Sequence, residues 1–314
     1  MENDSSRLDK RKYIVIYHDD LDGRCSAYIF RKFFNNNYIR FIPYTYGDKL
    51  DLMCSENKGD YLYILDVSLK EEELEKCKKI YTNEHEVVKI VWIDHHKSGI
   101  ELWQKNQHIH GFREDGVAAC ELTWKWFFPN KEMPTFIKMI ADRDVWNFSF
   151  YGDNTIWFFE YFDTIHNKPK SAIWDFLYDD FKNKCNTTLN NFIERGKLLR
   201  YSKLRNLGLL IEKLSYETTI DKYKCLIMNH SDYGSASDLL HLMMDLGYDV
   251  AISYKIKGVG NKLLVDYNIR SRNDVDCSKI AQKRGGGGHK YAAGWYDIYN
   301  EDTFFIKGFK NRLL

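Results

Sequence analysis

Ligand-type side chains in this sequence gather in four short segments. His18, Asp20 and Asp22 occupy alternate positions of His18-Asp19-Asp20-Leu21-Asp22-Gly23. Asp66 follows the apolar run Tyr61 to Leu65, and Asp94-His95-His96 follows another apolar run. Asp142 and Asp144 flank Arg143. Carboxylates and imidazoles without a thiolate suit a hard-to-borderline divalent ion, with Mn²⁺ the first choice and Mg²⁺, Co²⁺ or Fe²⁺ as alternatives. So many groups exceed the needs of one ion. Two ions about 3.5–4 Å apart, sharing one carboxylate, would use them all. Such a pair supplies hydroxide near neutral pH and stabilises charge on phosphoryl oxygens. Each segment also has a plainer reading. An aspartate before a helix is a common N-cap, a strand-end aspartate often makes a turn, and an isolated histidine is usually just part of the surface or core. The conjunction decides for metal, because several separate strands each end in ligand residues.

The elements that must position these groups follow from the apolar pattern. A strand over 13–17 leads through the 18–23 loop into a helix bearing Ala27, Phe30, Phe33 and Phe34. A second strand covers 61–67. Ser68 and Glu71 then form a capping-box pattern before a charged helix whose apolar stripe is Leu74, Cys77, Ile80 and Tyr81. A third strand runs over 87–93, and 41–46 is a weaker candidate. Continuously apolar strands alternating with helices predict a parallel sheet covered on both faces. Ligands of such sheets sit beyond the carboxyl ends of the strands, where these acids and histidines lie. Residues 116–181 read as helical and aromatic-rich, with Trp124, Trp126, Phe127 and Phe128 assigned to core packing. One long helix over 187–213 connects to a region of different character. There, strands are expected over 224–228, 249–255 and 262–269, and helices over 235–246 and 275–284. Gly285-Gly286-Gly287-Gly288-His289 follows.

Composition narrows the function classes. With 314 residues, two domains are expected. A hydrophobic content of 44% and a charged content of 29% are ordinary for a folded soluble protein. The net charge of +1 lacks the strongly basic balance of proteins that grip long duplex DNA. Seven cysteines without a C-x-x-C pair read as reduced thiols rather than a zinc site or disulfide framework. No secretory signal and no membrane-length apolar run are visible, so a cytoplasmic location is expected.

The combination of motifs resembles the DHH phosphoesterase superfamily. Asp94-His95-His96 is similar to its signature, His18 to Gly23 to its first motif, Leu65-Asp66-Val67-Ser68 to its second and Asp144-Val145-Trp146 to its fourth. Asn268-Ile269-Arg270-Ser271, Gly286-Gly287-Gly288-His289 and Ala292-Ala293-Gly294 resemble the associated DHHA1 domain. The resemblance implies an α/β fold: an N-terminal parallel-sheet DHH domain over 11–185, a helical linker over 186–215 and a smaller α/β DHHA1 domain over 220–314. It implies two divalent ions, with His18, Asp20 and Asp66 on one and Asp22, Asp66, His95 and Asp144 on the other, so that Asp66 bridges. His96 would stand beside the scissile phosphate. Arg270, His289 and the backbone of Gly286, Gly287 and Gly288 would hold a substrate phosphate, with the glycine register open by one residue. Asp144 is preferred over Asp142 as ligand. The first and fourth motifs are most similar to the short-oligonucleotide (nanoRNase-like) phosphodiesterases. The implied activity is Mn²⁺-dependent exonucleolytic hydrolysis of short single strands to mononucleotides. A cyclic-dinucleotide phosphodiesterase, a nucleotide 3′-phosphatase and a catalytically silent nucleotide-binding module are the alternatives. The oligomeric state is left open.

Overall fold

The computed structural model describes residues 11–35, 38–46, 50, 59–81, 89–148, 150–220, 222–230, 236–260, 262–272 and 275–300. Cys54, the start of the strand expected from residue 87 and the start of the helix expected from residue 235 lie outside the described residues. The chain divides into two compact units, 1–199 and 200–314.

The first unit begins β1 (Tyr13–His18), α1 (Leu21–Phe34), β2 (Ile39–Tyr44), β3 (Tyr61–Leu65), α2 (Glu71–Tyr81) and β4 (Ile90–Ile93). It continues through α3 (Lys97–Gln104), α4 (Ala119–Phe127), α5 (Thr135–Asp144), α6 (Asp153–Phe162) and α7 (Ile173–Lys182). The strands pair in the order β2-β1-β3-β4, all parallel. Alternation along β1 divides the core: Tyr13, Val15 and Tyr17 pack on one face with α1, α4 and α5, and Ile14 and Ile16 on the other with α2. The weaker strand candidate is real but begins two residues earlier than its apolar run, at Ile39.

The chain leaves β1 for β2 on one side and returns to β3 on the other. The β1/β3 boundary is therefore the topological switch point, where α/β sheets open a crevice beyond the strand ends. His18 and Asp66 stand at that boundary.

The expected capping box does not form. The Ser68 hydroxyl donates to Asp94 Oδ2 at 2.8 Å, and the Lys70 N–H donates to the Glu73 carboxylate at 2.9 Å. A buried carboxylate outcompetes the helix end for the serine, so the closing contact moves two residues on.

Helix α8 (Thr187–Leu214) is the long helix read from the sequence. Its Leu189, Phe192 and Ile193 belong to the first core, and its Leu207 and Ile211 to the core of the second unit. The second unit holds β5 (Ser215–Ile220), β6 (Tyr223–Asn229), α9 (Ala236–Asp245), β7 (Val250–Val259), β8 (Lys262–Ser271), α10 (Cys277–Gln282), β9 (Gly287–His289) and β10 (Ala292–Asn300). Its mixed sheet has the order β5-β6-β7-β8-β10-β9, with only β6 and β7 parallel. Among the described residues, no helix is long and apolar enough to cross a membrane.

Candidate metal centre

The first motif is a tight turn between β1 and α1. Asp20 caps α1, accepting the Gly23 N–H on Oδ1 at 3.0 Å, while its Oδ2 lies 2.9 Å from His18 Nδ1. Capping and ligation are thus compatible, because the two oxygens serve different partners. Only glycine fits at position 23: a Cβ there would meet the His18 carbonyl oxygen at 2.2 Å. Asp22 is buried and accepts the Ala119 and Cys120 N–H groups, each at 2.8 Å, at the start of α4. That contact ties the motif to a helix almost a hundred residues away in sequence.

Asp66 is the centre of the cluster. It is 1% exposed and has φ +60°, a left-handed backbone uncommon outside glycine, asparagine and aspartate. Neither carboxylate oxygen has a hydrogen-bond donor among the described residues. The groups that face it are imidazoles: His95 Nε2 at 3.4 Å, His18 Nδ1 at 3.7 Å and His96 Nδ1 at 3.8 Å. A buried carboxylate without donors is costly unless a cation satisfies it.

Two three-residue groups offer ligand atoms within 4.8 Å of one another: His18, Asp20 and Asp66, and Asp22, His95 and Asp144. A third, Asp66, His95 and His96, overlaps both. Asp144 Oδ2 lies 3.4 Å from His95 Nε2. Asp142 belongs to none of these groups and instead accepts the Thr155 hydroxyl at 2.8 Å. The oxygen and imidazole donor set, the shared carboxylate and its unpartnered oxygens all fit a pair of divalent cations.

Electrostatics agree with that fit. The facing carboxylates of Asp20 and Asp66 raise His18 to about 10. Burial opposes the charge on His95, yet Asp66, Asp22 and Asp144 still raise it to about 9. Burial, then Asp66, pushes Asp144 up to about 6, and burial with Asp66 and Asp144 raises Asp22 well above the usual carboxylate range. Without metal, the excess negative charge is compensated by protons on the imidazoles.

Spacing alone does not single out the groups behind the ligands. Asp94 is fully buried, and its Oδ1 accepts the His95 N–H at 2.9 Å and the His96 N–H at 3.3 Å and faces His96 Nδ1 at 2.7 Å. That leaves Nε2 of His96 for the site. Gly99 makes room for this arrangement, since a Cβ there would meet Asp94 Oδ2 at 2.1 Å. Tyr46 accepts the Ser68 N–H at 3.2 Å and sets its ring 5.1 Å from that of His18. A buried acid next to a histidine pair was the available signal for Asp94. Nothing in the sequence marks Tyr46.

In the second unit, Arg270 on β8 pairs with Ala292 on β10, which pairs with His289 on β9. Directly opposed residues share a sheet face, so Arg270 and His289 flank Ala292 on one face, about 10 Å apart at the backbone. Arg270 is half-buried and donates to the Ile269 carbonyl at 3.1 Å. Burial lowers its pKa. Gly287 and Gly288 lie in the edge strand β9, and Gly286 immediately precedes it.

A parallel sheet with an acid and imidazole cluster at its switch point, followed by a second α/β unit, is an architecture suited to holding divalent cations. Residues 12–143 match the model of the DHH family, N-terminal domain. The chain is 27% identical over 300 residues to an uncharacterized protein of Acanthamoeba polyphaga mimivirus, covering 90% of this chain and 66% of that one. It is 25% identical over 333 residues to the oligoribonuclease NrnB of Bacillus subtilis, covering 94% of this chain and 76% of that one. This chain thus spans just under two thirds of the viral relative's length. In fold it is similar to the pGpG-specific phosphodiesterase PggH of Vibrio cholerae, with a TM-score of 0.51 at 10% identity over 96% of this chain and 97% of that one. It is also similar to the DHH domain of a member of a ribosomal-protein family, with a TM-score of 0.52 at 12% identity over 97% of this chain and 87% of that one.

Proposed function

We propose that the protein is a Mn²⁺-dependent phosphodiesterase that hydrolyses short single-stranded oligonucleotides to mononucleotides. The observation that carries this reading is Asp66, buried, with neither oxygen hydrogen-bonded among the described residues, and common to a group with His18 and Asp20 and a group with His95 and His96. His18, Asp20 and Asp66 would hold one ion, and Asp22, Asp66, His95 and Asp144 the other. When bound, the ions supply an activated water and Lewis-acid stabilisation of the phosphoryl oxygens.

The chain's own residues do the rest. Asp94 fixes the ring of His96 by accepting from Nδ1, so Nε2 faces the reacting phosphate, where it stabilises developing charge. Asp22 anchors the first motif to α4, holding its position against the load of charge in the site. Arg270 and His289, with the backbone of Gly286, Gly287 and Gly288, bind a substrate phosphate in the second unit.

The similarity to NrnB supports a short oligonucleotide as substrate. Release of mononucleotides from a dinucleotide with Mn²⁺, read beside cyclic dinucleotides, a 3′,5′-bisphosphate nucleotide, pyrophosphate and long single strands, tests the reading. Turnover is expected to be highest on the shortest linear strands. Preference for a cyclic dinucleotide or a 3′-phosphate would replace it, and absence of turnover on every substrate, with metal bound, would leave a binding module.

A further inference from the structure

The first unit carries a second concave surface, a cavity of about 800 Å³ running beside the edge strand β2. Lys12, Arg40, Lys168 and Lys170 line it, and no carboxylate is among its described lining residues. Four cations line this one groove on a chain of net charge +1, with Lys168 matched by Asp19. Aromatic rings are set among them. Ile39, Phe41 and Pro43 share a sheet face with Tyr17, by their pairing with Tyr13, Val15 and Tyr17. Phe41 packs edge-on to Tyr17 at 6.3 Å, and Lys170 Nζ lies 5.8 Å from the Phe41 ring. Tyr38 is 55% exposed at one end. At the other end Lys168 pairs with Asp19, both oxygens at 2.7 Å, so the groove reaches the residue next to His18.

We infer that this groove binds the sugar-phosphate chain and bases of a single-stranded oligonucleotide whose end lies in the metal centre. The inference rests on the oligonucleotide reading above. Cations tracking a backbone, with aromatics for stacking, are the pattern of single-strand binding without sequence preference. Lys168, held by Asp19, marks the end of the groove at the first motif, and Arg40 and Lys170 are exposed along its length. The six residues of β2 extend roughly 20 Å, room for several nucleotides. A peptide adding as a further strand is the competing occupant of a sheet edge. Pro43 on β2 withholds a backbone N–H, and Arg40 places a charge there, the two devices that discourage strand addition.

Fluorescence anisotropy in EDTA, where cleavage cannot occur, tests this on the full chain. The probes are fluorescein-labelled pentauridylate and diuridylate, with the exposed Arg40 and Lys170 replaced together by alanine. Wild type is expected to prefer the pentamer by about tenfold or more, and R40A/K170A to lose most of that preference. The magnitude of the slope of log affinity against log salt should fall by about 1.4, at about 0.7 per phosphate contact. Dinucleotide hydrolysis with Mn²⁺ should stay within about twofold of wild type, which also shows that the variant folds. Unchanged pentamer affinity and salt slope in the variant would overturn the groove assignment. So would displacement of pentauridylate by an extended peptide at lower concentration than by unlabelled RNA. If wild type hydrolyses no oligonucleotide yet R40A/K170A still loses pentamer binding, the oligonucleotidase reading falls while the groove stands.

Discussion

Asp66 sits at the end of a buried parallel strand, with a left-handed backbone and with no donor to either carboxylate oxygen among the described residues. Arg270 sits within an antiparallel strand, half-buried, donating to the Ile269 carbonyl. The first region concentrates opposite charges that depend on one another. The second presents separate cationic and amide donors on a regular sheet face. Chemistry that needs several ligands at one point requires loops from several strand ends, and the switch point of a parallel sheet supplies them. Gripping a phosphate needs only a few donors spaced along a surface, which pleated strands provide by register. Substitutions in the two regions should therefore fail differently.

The largest effect is expected at Asp66. Asp66→Ala should remove metal binding and turnover together, the latter by about a thousandfold or more, given metal stabilisation of several kcal/mol. Elemental analysis of the purified variant beside a Mn²⁺-dependent assay gives both readings. Two ions retained per chain, with activity lost, would move the bridging role elsewhere.

Metal loading should also depend steeply on pH, a property only the first region can show. His18 at about 10 and His95 at about 9 are raised above the ordinary histidine value, so both carry protons near pH 7.5 in the metal-free protein. Coordination requires the neutral imidazole, so binding must expel those protons. Affinity should fall as pH falls and rise until about pH 9–10, with at least two protons released per fully loaded chain at pH 7.5, because Asp22 is raised as well. Calorimetry in buffers of differing ionisation enthalpy counts them. Metal uptake without proton release would show that these imidazoles are neutral beforehand.

Arg270→Ala should instead leave both ions bound. Loss of one charged hydrogen bond to substrate is worth roughly 1.5–3 kcal/mol, about ten- to more than hundredfold in kcat/KM. Mn²⁺ content equal to wild type with kcat/KM unchanged on the best substrate would mean that Arg270 only packs its stem on the sheet.

Much of the first region was legible because its groups lie at strand ends marked by apolar runs. Tyr13 to Tyr17 and Tyr61 to Leu65 are visible as strands, and the candidate ligand residues follow directly. The second unit was harder. β5, Ser215–Ile220, reads Ser-Tyr-Glu-Thr-Thr-Ile and is mostly exposed, so no apolar run announces it. β9 is written almost entirely in glycine, and its strand character comes from pairing with β10. Ser68 was assigned to a helix end because sequence pattern cannot register a competitor such as Asp94, twenty-six positions away. Long-range hydrogen bonds of this kind have no local signature.

The choice between Asp142 and Asp144 turns on phase within one helix, and its test carries the smallest expected effect. Both lie in α5, and positions two apart on a helix point about 200° apart. They cannot both face the same site. Asp144 turns to His95, and Asp142 turns inward to the Thr155 hydroxyl. Asp144→Ala should therefore lower metal occupancy, and Asp142→Ala should not. Removing the Asp142 carboxylate leaves the buried Thr155 hydroxyl without its acceptor, at a cost of about 1–3 kcal/mol. For a unit of this size that is a fall of a few degrees in Tm, at about 2–4 °C per kcal/mol. Asp142→Asn keeps an acceptor for Thr155 and should recover most of the loss. Thermal unfolding of both variants, with Mn²⁺ content measured on the same samples, separates the roles. An Asp142→Ala protein with normal Tm but one ion fewer would reverse the assignment and place Asp142 in the metal centre.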